Sequence, residues 1–248
     1  MFVFAYGVCA YLALVLTSLY AVGFVENWAV SFTLDGVRVA GGTGLAAGLS
    51  NAVLLGLFGL QHACMGHPAF KRAWANLLPA SVQRSTHVLV SCLFLMLVFL
   101  RWKALPLELW SLGLNPLGLV LELLSYAGWA LALTATFQFN HLELFGLAQT
   151  LAHAKGEELE PARFDVPFLY RWVRHPLYSG LLLALWCAPV MTLGRVLFAG
   201  LATGYFVLLA RMEERELVSE HREYRAYQAR VPMLLPRARP LAIRRRAG

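Results

Sequence analysis

Two short stretches near the carboxyl end hold the residues best suited to chemistry. The first reads Arg174-His175-Pro176-Leu177-Tyr178-Ser179-Gly180. The second holds Glu213 and Glu214, then Tyr224 and Tyr227, then Val231-Pro232 and Pro236. Pro176 suits the first turn of a helix, because its missing N–H is an orphan there anyway. The N–H groups that follow, with the helix's positive end, favour an anion. Arg174 can neutralise that anion, Tyr178 offers a ring or a hydroxyl, and Gly180 permits close approach of a helix or a ligand. Taken alone, the first stretch also reads as a surface anchor (Arg174) beside a hydrogen-bonded cap (His175). The glutamates offer carboxylates to hydroxyls or to an ammonium group. The bland alternative is a solvated helix laced with Glu–Arg pairs, each worth little.

Helices must position these groups. Six apolar segments are visible: about Phe2–Phe24, Leu45–His62, His87–Leu100, Leu117–Phe139, Tyr178–Met191 and Val196–Ala210. A bilayer-spanning helix needs roughly 20 residues, so the third, fifth and sixth are short. The last two form a tight helical hairpin, with Pro189 and Gly194 as breakers. Residues 211–228 contain neither Pro nor Gly, which predicts one helix continuing from segment six. At about 100° per residue, Glu213, Leu217, Glu220, Tyr224 and Tyr227 then share a stripe. Arg211, Arg215, Arg222 and Arg225 fall on the opposite face, toward headgroups or water. On this geometry Glu213 points at the site and Glu214 flanks it.

Composition sets the class. The 248 residues are 59% hydrophobic and 14% charged, against about 25% charged in soluble domains. A polytopic helical membrane protein follows. Seventeen of the 21 basic residues fall on one side of the bilayer if both termini are cytoplasmic. The net charge of +7 sits mostly in the tail, where an anionic leaflet explains it without nucleic acid. The segment Phe2–Phe24 lacks a basic n-region and is too long for a signal peptide. Cys9, Cys64, Cys92 and Cys187 show neither metal spacing nor a disulfide framework, and core packing is the expected role of each. Glu122 is an intramembrane acid and so a functional suspect by default.

The order of pieces from Arg174 to Pro236 resembles the integral-membrane methyltransferases of the isoprenylcysteine carboxyl methyltransferase superfamily. Membrane sterol reductases share a similar tail. The resemblance implies that Arg174, His175, Pro176, Tyr178, Gly180, Glu213, Glu214, Tyr224 and Tyr227 bind S-adenosylmethionine. Further pieces resemble the bacterial methanethiol S-methyltransferases. These are Asn140-His141-Leu142-Glu143-Leu144-Phe145-Gly146-Leu147 with Gln149, Leu60-Gln61-His62-Ala63-Cys64-Met65 followed by Pro68-Ala69-Phe70-Lys71-Arg72, and Val231-Pro232-Met233-Leu234-Leu235-Pro236. Ala148 and Ala63 depart from that family's usual basic residue and Ser, which bears on substrate contacts.

This resemblance implies methyl transfer to methanethiol, with Gln61, Phe145, Gly146 and Gln149 near the substrate. The thiolate is the nucleophile, so a protonated thiol needs a base. His141 and His62, at cytosolic helix ends, are the candidates, His141 first because its loop leads to the cofactor motif. Each also reads as a helix cap. No metal is expected, since His62 and His67 are not at i,i+4 spacing and lack a carboxylate cluster.

The expected fold is an all-α integral membrane protein. It has five to six transmembrane helices, a C-terminal helical hairpin and a cytosolic cofactor-binding extension. The expected organisation is one domain. Residues 1–139 are N-terminal transmembrane helices, 140–177 a cytosolic loop or lid, 178–236 the cofactor-binding hairpin and helix, and 237–248 a basic tail. The expected setting is a bacterial inner membrane, with the active site cytoplasmic. The alternatives are an isoprenylcysteine carboxylate, phospholipid amine or other small thiol as acceptor, or a nicotinamide-dependent reductase.

Overall fold

Among the described residues, five helices are long and apolar enough to cross a bilayer. In this computed structural model they are α1 (Phe2–Glu26), α2 (Gly44–Gly66), α4 (Ala80–Arg101), α5 (Pro116–Phe137) and α9 (Leu193–Glu220). The described residues are 1–36, 44–113, 115–138, 140–159 and 165–237. Shorter helices are α3 (Pro68–Trp74), α6 (His141–Leu144), α7 (Leu147–Lys155), α8 (Pro176–Trp186) and α10 (Tyr224–Gln228). The chain is an all-α integral membrane protein. Apolar side chains such as Leu12, Leu16 and Leu19 on α1, and Leu49, Val53 and Leu57 on α2, are exposed at three- and four-residue spacing. In a bilayer that is a lipid-facing stripe. Phe139, Arg38, Glu160, Pro161, Arg163 and residues 238–248 of the basic tail lie outside the described residues.

Two of the segments that look short in sequence are full-length helices. α4 begins seven residues before His87, because its polar first turns are satisfied by other elements. α9 runs on past Ala210 for the same reason. The fifth segment is different: α8 has only 11 residues, about 16 Å at about 1.5 Å per residue, too short to span. Pro189 does stop a helix, but Gly194 lies inside α9. The expected hairpin turn is instead a short strand, β2 (Val190–Thr192), paired antiparallel with β1 (Glu108–Ser111). Backbone pairing across some eighty residues leaves no periodic trace in either partner.

The chain divides into two compact units. The first comprises residues 1–113, 141–161 and 190–202. Its core joins Phe24, Phe99, Trp102 and Phe198, with Phe24 and Phe99 ring centroids 4.6 Å apart. Arg195 is buried and pairs with Asp35 at 2.7 Å. Asn51, also buried, exchanges two hydrogen bonds with the Lys103 backbone. Within the stretch expected to be a loop or lid, α6 and α7 are helical. α7 packs on α1 and α4, Arg84 Nε donates to Leu144 O, and Ser85 Oγ donates to Gly146 O. Core packing describes Cys92, whereas Cys9 and Cys64 are exposed.

The second unit comprises residues 114–140, 162–189 and 203–248. Its frame is the contact of α5 with α8. A Cβ on Gly180 would lie 2.5 Å from Ala132 N, and one on Gly128 would lie 2.5 Å from Ala184 N. Small residues let the two backbones meet, as at many membrane helix crossings. Gly180 therefore serves close helix approach. Gly180→Ala should lower the unfolding temperature in detergent, since overpacking costs about 1–3 kcal/mol. Gly56→Ala, where an added methyl meets nothing within 4 Å, should not lower it.

Candidate functional site

The second unit gathers the Arg-His-Pro stretch and the paired glutamates into one cluster. Pro176 opens α8 at its first turn and His175 is its N-cap residue. The chain then locks onto its own later part. Arg174 N donates to Pro232 O at 2.9 Å, His175 N to Met233 O at 3.1 Å, and Ser179 Oγ to Leu234 O at 2.7 Å. The Val231-Pro232-Met233-Leu234 segment is thus zipped along the start of α8.

The expected continuous helix breaks at His221. α9 ends at Glu220 and α10 restarts at Tyr224, so one stripe cannot run from Glu213 to Tyr227. The four arginines on the expected outer face are exposed, as anticipated. Tyr224 and Tyr227 are buried with Val231, against Leu217 and Val218. They form the small core under the cluster, and Tyr227 Oη donates to Tyr170 O at 2.6 Å.

The two glutamates differ sharply in burial. Glu214, not Glu213, is the buried one, with a side chain 6% exposed against 49%. Glu214 accepts from Arg174 Nε at 2.6 Å and from Gln228 Nε2 at 2.8 Å, and lies 3.0 Å from His175 Nε2. Arg174 also donates to the carbonyls of Gln228 and Val231. Its guanidinium is therefore committed to the fold. Glu213 faces outward, accepts from Tyr178 Oη at 2.5 Å and lies 3.4 Å from His175 Nδ1. Flat rings stack beside it: His175 on Tyr178 at 5.5 Å and Tyr178 on Phe206 at 5.3 Å. Nearby in sequence, Arg171 Nε is buried with no hydrogen-bond partner among the described residues.

An accessible carboxylate beside stacked rings can hold a polar ligand that carries hydroxyls and positive charge. Gln228 was not legible as part of this cluster, because it carries no motif.

The remaining candidates lie in the first unit. His141 Nε2 is 2.9 Å from Tyr11 Oη, and its ring meets Tyr11 and Phe145 edge-on. Gly146 sits at φ 91°, and a Cβ there would strike Ser85 N at 2.6 Å. Only glycine fits there. Gln149 Nε2 donates to Glu143 O at 3.0 Å. Gln61 Nε2 contacts Met65 Sδ at 3.0 Å. His62 lies against His87, ring centroids 4.7 Å apart. His87 and Gln149 border a cavity of about 230 Å³ walled by α2, α3, α4 and α7. His87 escaped notice as the first residue of an apolar run. Its signal was a titratable ring one turn after Arg84, where the helix passes from polar to apolar turns.

Glu214→Ala strands the Arg174 charge, whose side chain is 9% exposed. Orphaning one partner of a buried pair costs about 3–5 kcal/mol, which should appear as a large fall in unfolding temperature. Glu213→Ala should change that temperature little. Burial lowers the His141 pKa below its ordinary 6.5. The unfolded chain then binds more protons between the two values, so this contribution to stability is full above pH 6.5 and is lost as pH falls. Melting curves from about pH 7 to about pH 5 should show it, with a weaker pH dependence in His141→Gln.

No family model matches the chain, and no solved structure matches it significantly. Among curated proteins, Methanethiol S-methyltransferase 1 of Bradyrhizobium diazoefficiens is 43% identical over 235 residues, covering 94% of this chain and 81% of the relative. The Methanethiol S-methyltransferase of Mycobacterium tuberculosis is 41% identical, over 93% of this chain and 94% of that protein. Nurim of Rattus norvegicus is more distant, 33% identical over 66% of this chain and 65% of its own length. The identities and their near-complete coverage carry one conclusion: the chain belongs to the methanethiol S-methyltransferase family.

Proposed function

We propose that the protein transfers a methyl group from S-adenosylmethionine to the sulfur of methanethiol. The products are dimethyl sulfide and S-adenosylhomocysteine. The observation that carries the donor is the second unit's cluster, where the half-exposed Glu213 carboxylate stands beside the stacked rings of His175, Tyr178 and Phe206. S-adenosylmethionine supplies an electrophilic methyl on a sulfonium sulfur, which a thiolate displaces in line.

The chain's residues divide the remaining work. Glu213 receives the donor's ribose hydroxyls or its ammonium group. The ring faces accept the adenine and favour positive charge. Arg171 is the cation for the donor's carboxylate, because Arg174 is committed to Glu214 and two carbonyls. Arg174, Glu214, Tyr224 and Tyr227 position the others. His175 and Pro176 set the start of α8, and Gly180 sets its distance from α5. Positioning and exclusion of water dominate such a displacement.

The proposed setting is a bacterial inner membrane, with both termini and the donor cluster cytoplasmic. The exposed Arg211, Arg215, Arg222 and Arg225 support that orientation. The whole chain is taken as one methyltransferase domain, whose two units share α9. A larger acceptor, such as a prenyl or lipid group, is favoured by one feature. It is an apolar cavity of about 390 Å³ in the second unit, bordered by Leu131, Phe168, Trp172 and Pro236.

Headspace gas chromatography tests the proposal on full-length protein in detergent with S-adenosylmethionine and methanethiol. Dimethyl sulfide is expected from the wild type. Glu213→Ala should bind S-adenosylhomocysteine about 10- to 100-fold more weakly, the worth of a hydrogen bond to a charged group. Donor binding without dimethyl sulfide would turn the reaction toward the larger acceptors.

A further inference from the structure

The cavity bordered by α2, α3, α4 and α7 lies wholly within the first unit, at the end of the helices where α3 joins α2 to α4. It measures about 230 Å³, room for about seven water molecules at roughly 30 Å³ each. Among the described residues its walls hold Lys71 and Arg84 and no carboxylate. Three wall atoms are buried without a hydrogen-bond partner among the described residues: His87 Nε2, Trp74 Nε1 and Gln149 Oε1. They are half of the six such atoms among the described residues. Buried polar atoms are normally satisfied, so this concentration marks a place for a ligand.

The roles of these atoms are fixed by their neighbours. The Trp74 indole N–H can only donate. Gln149 Nε2 donates to Glu143 O, which leaves Oε1 as an acceptor. The His87 ring hydrogen-bonds the His62 backbone. That bond uses Nδ1–H, because Nε2 has no partner. Beside two cations the ring stays neutral, so Nε2 carries a lone pair. The ligand that fits is therefore an anion that also donates hydrogen bonds to two acceptors.

The setting narrows it further. Leu57 and Leu60 on α2, and Leu77 just past α3, are exposed, and in a bilayer such side chains meet lipid. Phe70 stacks on Trp74 at 5.1 Å, and tryptophan favours the membrane boundary. Basic pockets between membrane helices at that boundary hold anionic lipid headgroups.

We propose that this cavity seats the headgroup of an anionic phospholipid with free hydroxyls, as in a phosphoglycerol. The phosphate lies between Lys71 and Arg84 and accepts from the Trp74 N–H. The glycerol hydroxyls donate to His87 Nε2 and Gln149 Oε1. Met65 and Phe70 supply apolar wall for its carbons, and the acyl chains run over the exposed leucines. An ammonium headgroup would find two cations here and no carboxylate among the described residues. With Lys71 on α3, Arg84 on α4 and Gln149 on α7, the bound lipid ties three helices together. This inference is independent of the methyl-transfer reading.

Native mass spectrometry of the full chain in detergent tests it. From an equimolar mixture, phosphatidylglycerol should be retained about tenfold or more over phosphatidylcholine. Phosphatidylethanol, equally anionic but without headgroup hydroxyls, should bind about tenfold more weakly than phosphatidylglycerol, the worth of two hydrogen bonds. Lys71→Gln should weaken phosphatidylglycerol about fivefold, the worth of one basic residue at a charged headgroup. Trp74→Phe, which keeps the ring and removes the N–H, should weaken it by a similar factor. Arg72→Gln, an exposed neighbour on α3 outside the cavity, should leave the preference unchanged. Equal losses in Lys71→Gln and Arg72→Gln would reduce the effect to surface charge and overturn the site. Equal retention of phosphatidylglycerol and phosphatidylethanol would overturn the hydroxyl contacts. Displacement of phosphatidylglycerol by equimolar glycerol 3-phosphate would make the ligand a soluble phosphate ester and overturn the lipid.

Discussion

A single buried carboxylate organises the second unit. Glu214 receives Arg174, His175 and Gln228 together, so it ties the start of α8, the end of α9 and α10 to one point. Such a pair contributes little net stability, because desolvation offsets its attraction. Its effect is geometric. With Arg174 held, the guanidinium also captures the carbonyls of Gln228 and Val231, and the 231–234 strand of chain lies along α8. The neighbouring Glu213 is then turned outward by one helical step. Two adjacent acids thus divide their work, one holding the structure and one facing a ligand.

The first unit is built on different physics. Its helices meet solvent or lipid with leucines and close over aromatic rings, and its polar groups work at helix ends. Arg84 and Ser85 spend their donors on the carbonyls of Leu144 and Gly146, which draws α6 and α7 onto α4. That docking is what borders the cationic cavity.

Much of this was legible from residue pattern alone. Long apolar runs matched α1, α2 and α5, since lipid imposes its length on the chain. The Arg-His-Pro stretch correctly marked a helix start, because proline's missing N–H costs nothing there. The polar turns of α4 were not legible as helix, since their partners lie some sixty residues away. The paired strands were hidden for the same reason. The burial of Tyr224 and Tyr227 off the Glu213 stripe was not legible. The absence of Pro and Gly from 211–228 predicts one continuous helix, whereas α9 stops at Glu220 and Tyr224 and Tyr227 turn into the core. Tertiary burial overrode local propensity.

The Glu214-organised cluster is the proposed methyl-donor site. Hydrogen–deuterium exchange on the full chain, with and without S-adenosylhomocysteine, tests it most directly. The account predicts slowed exchange in residues 169–180, 210–216 and 224–234, because ligand contacts would deepen an already zipped segment. Protection confined to other segments, with these unchanged under saturating ligand, would contradict it.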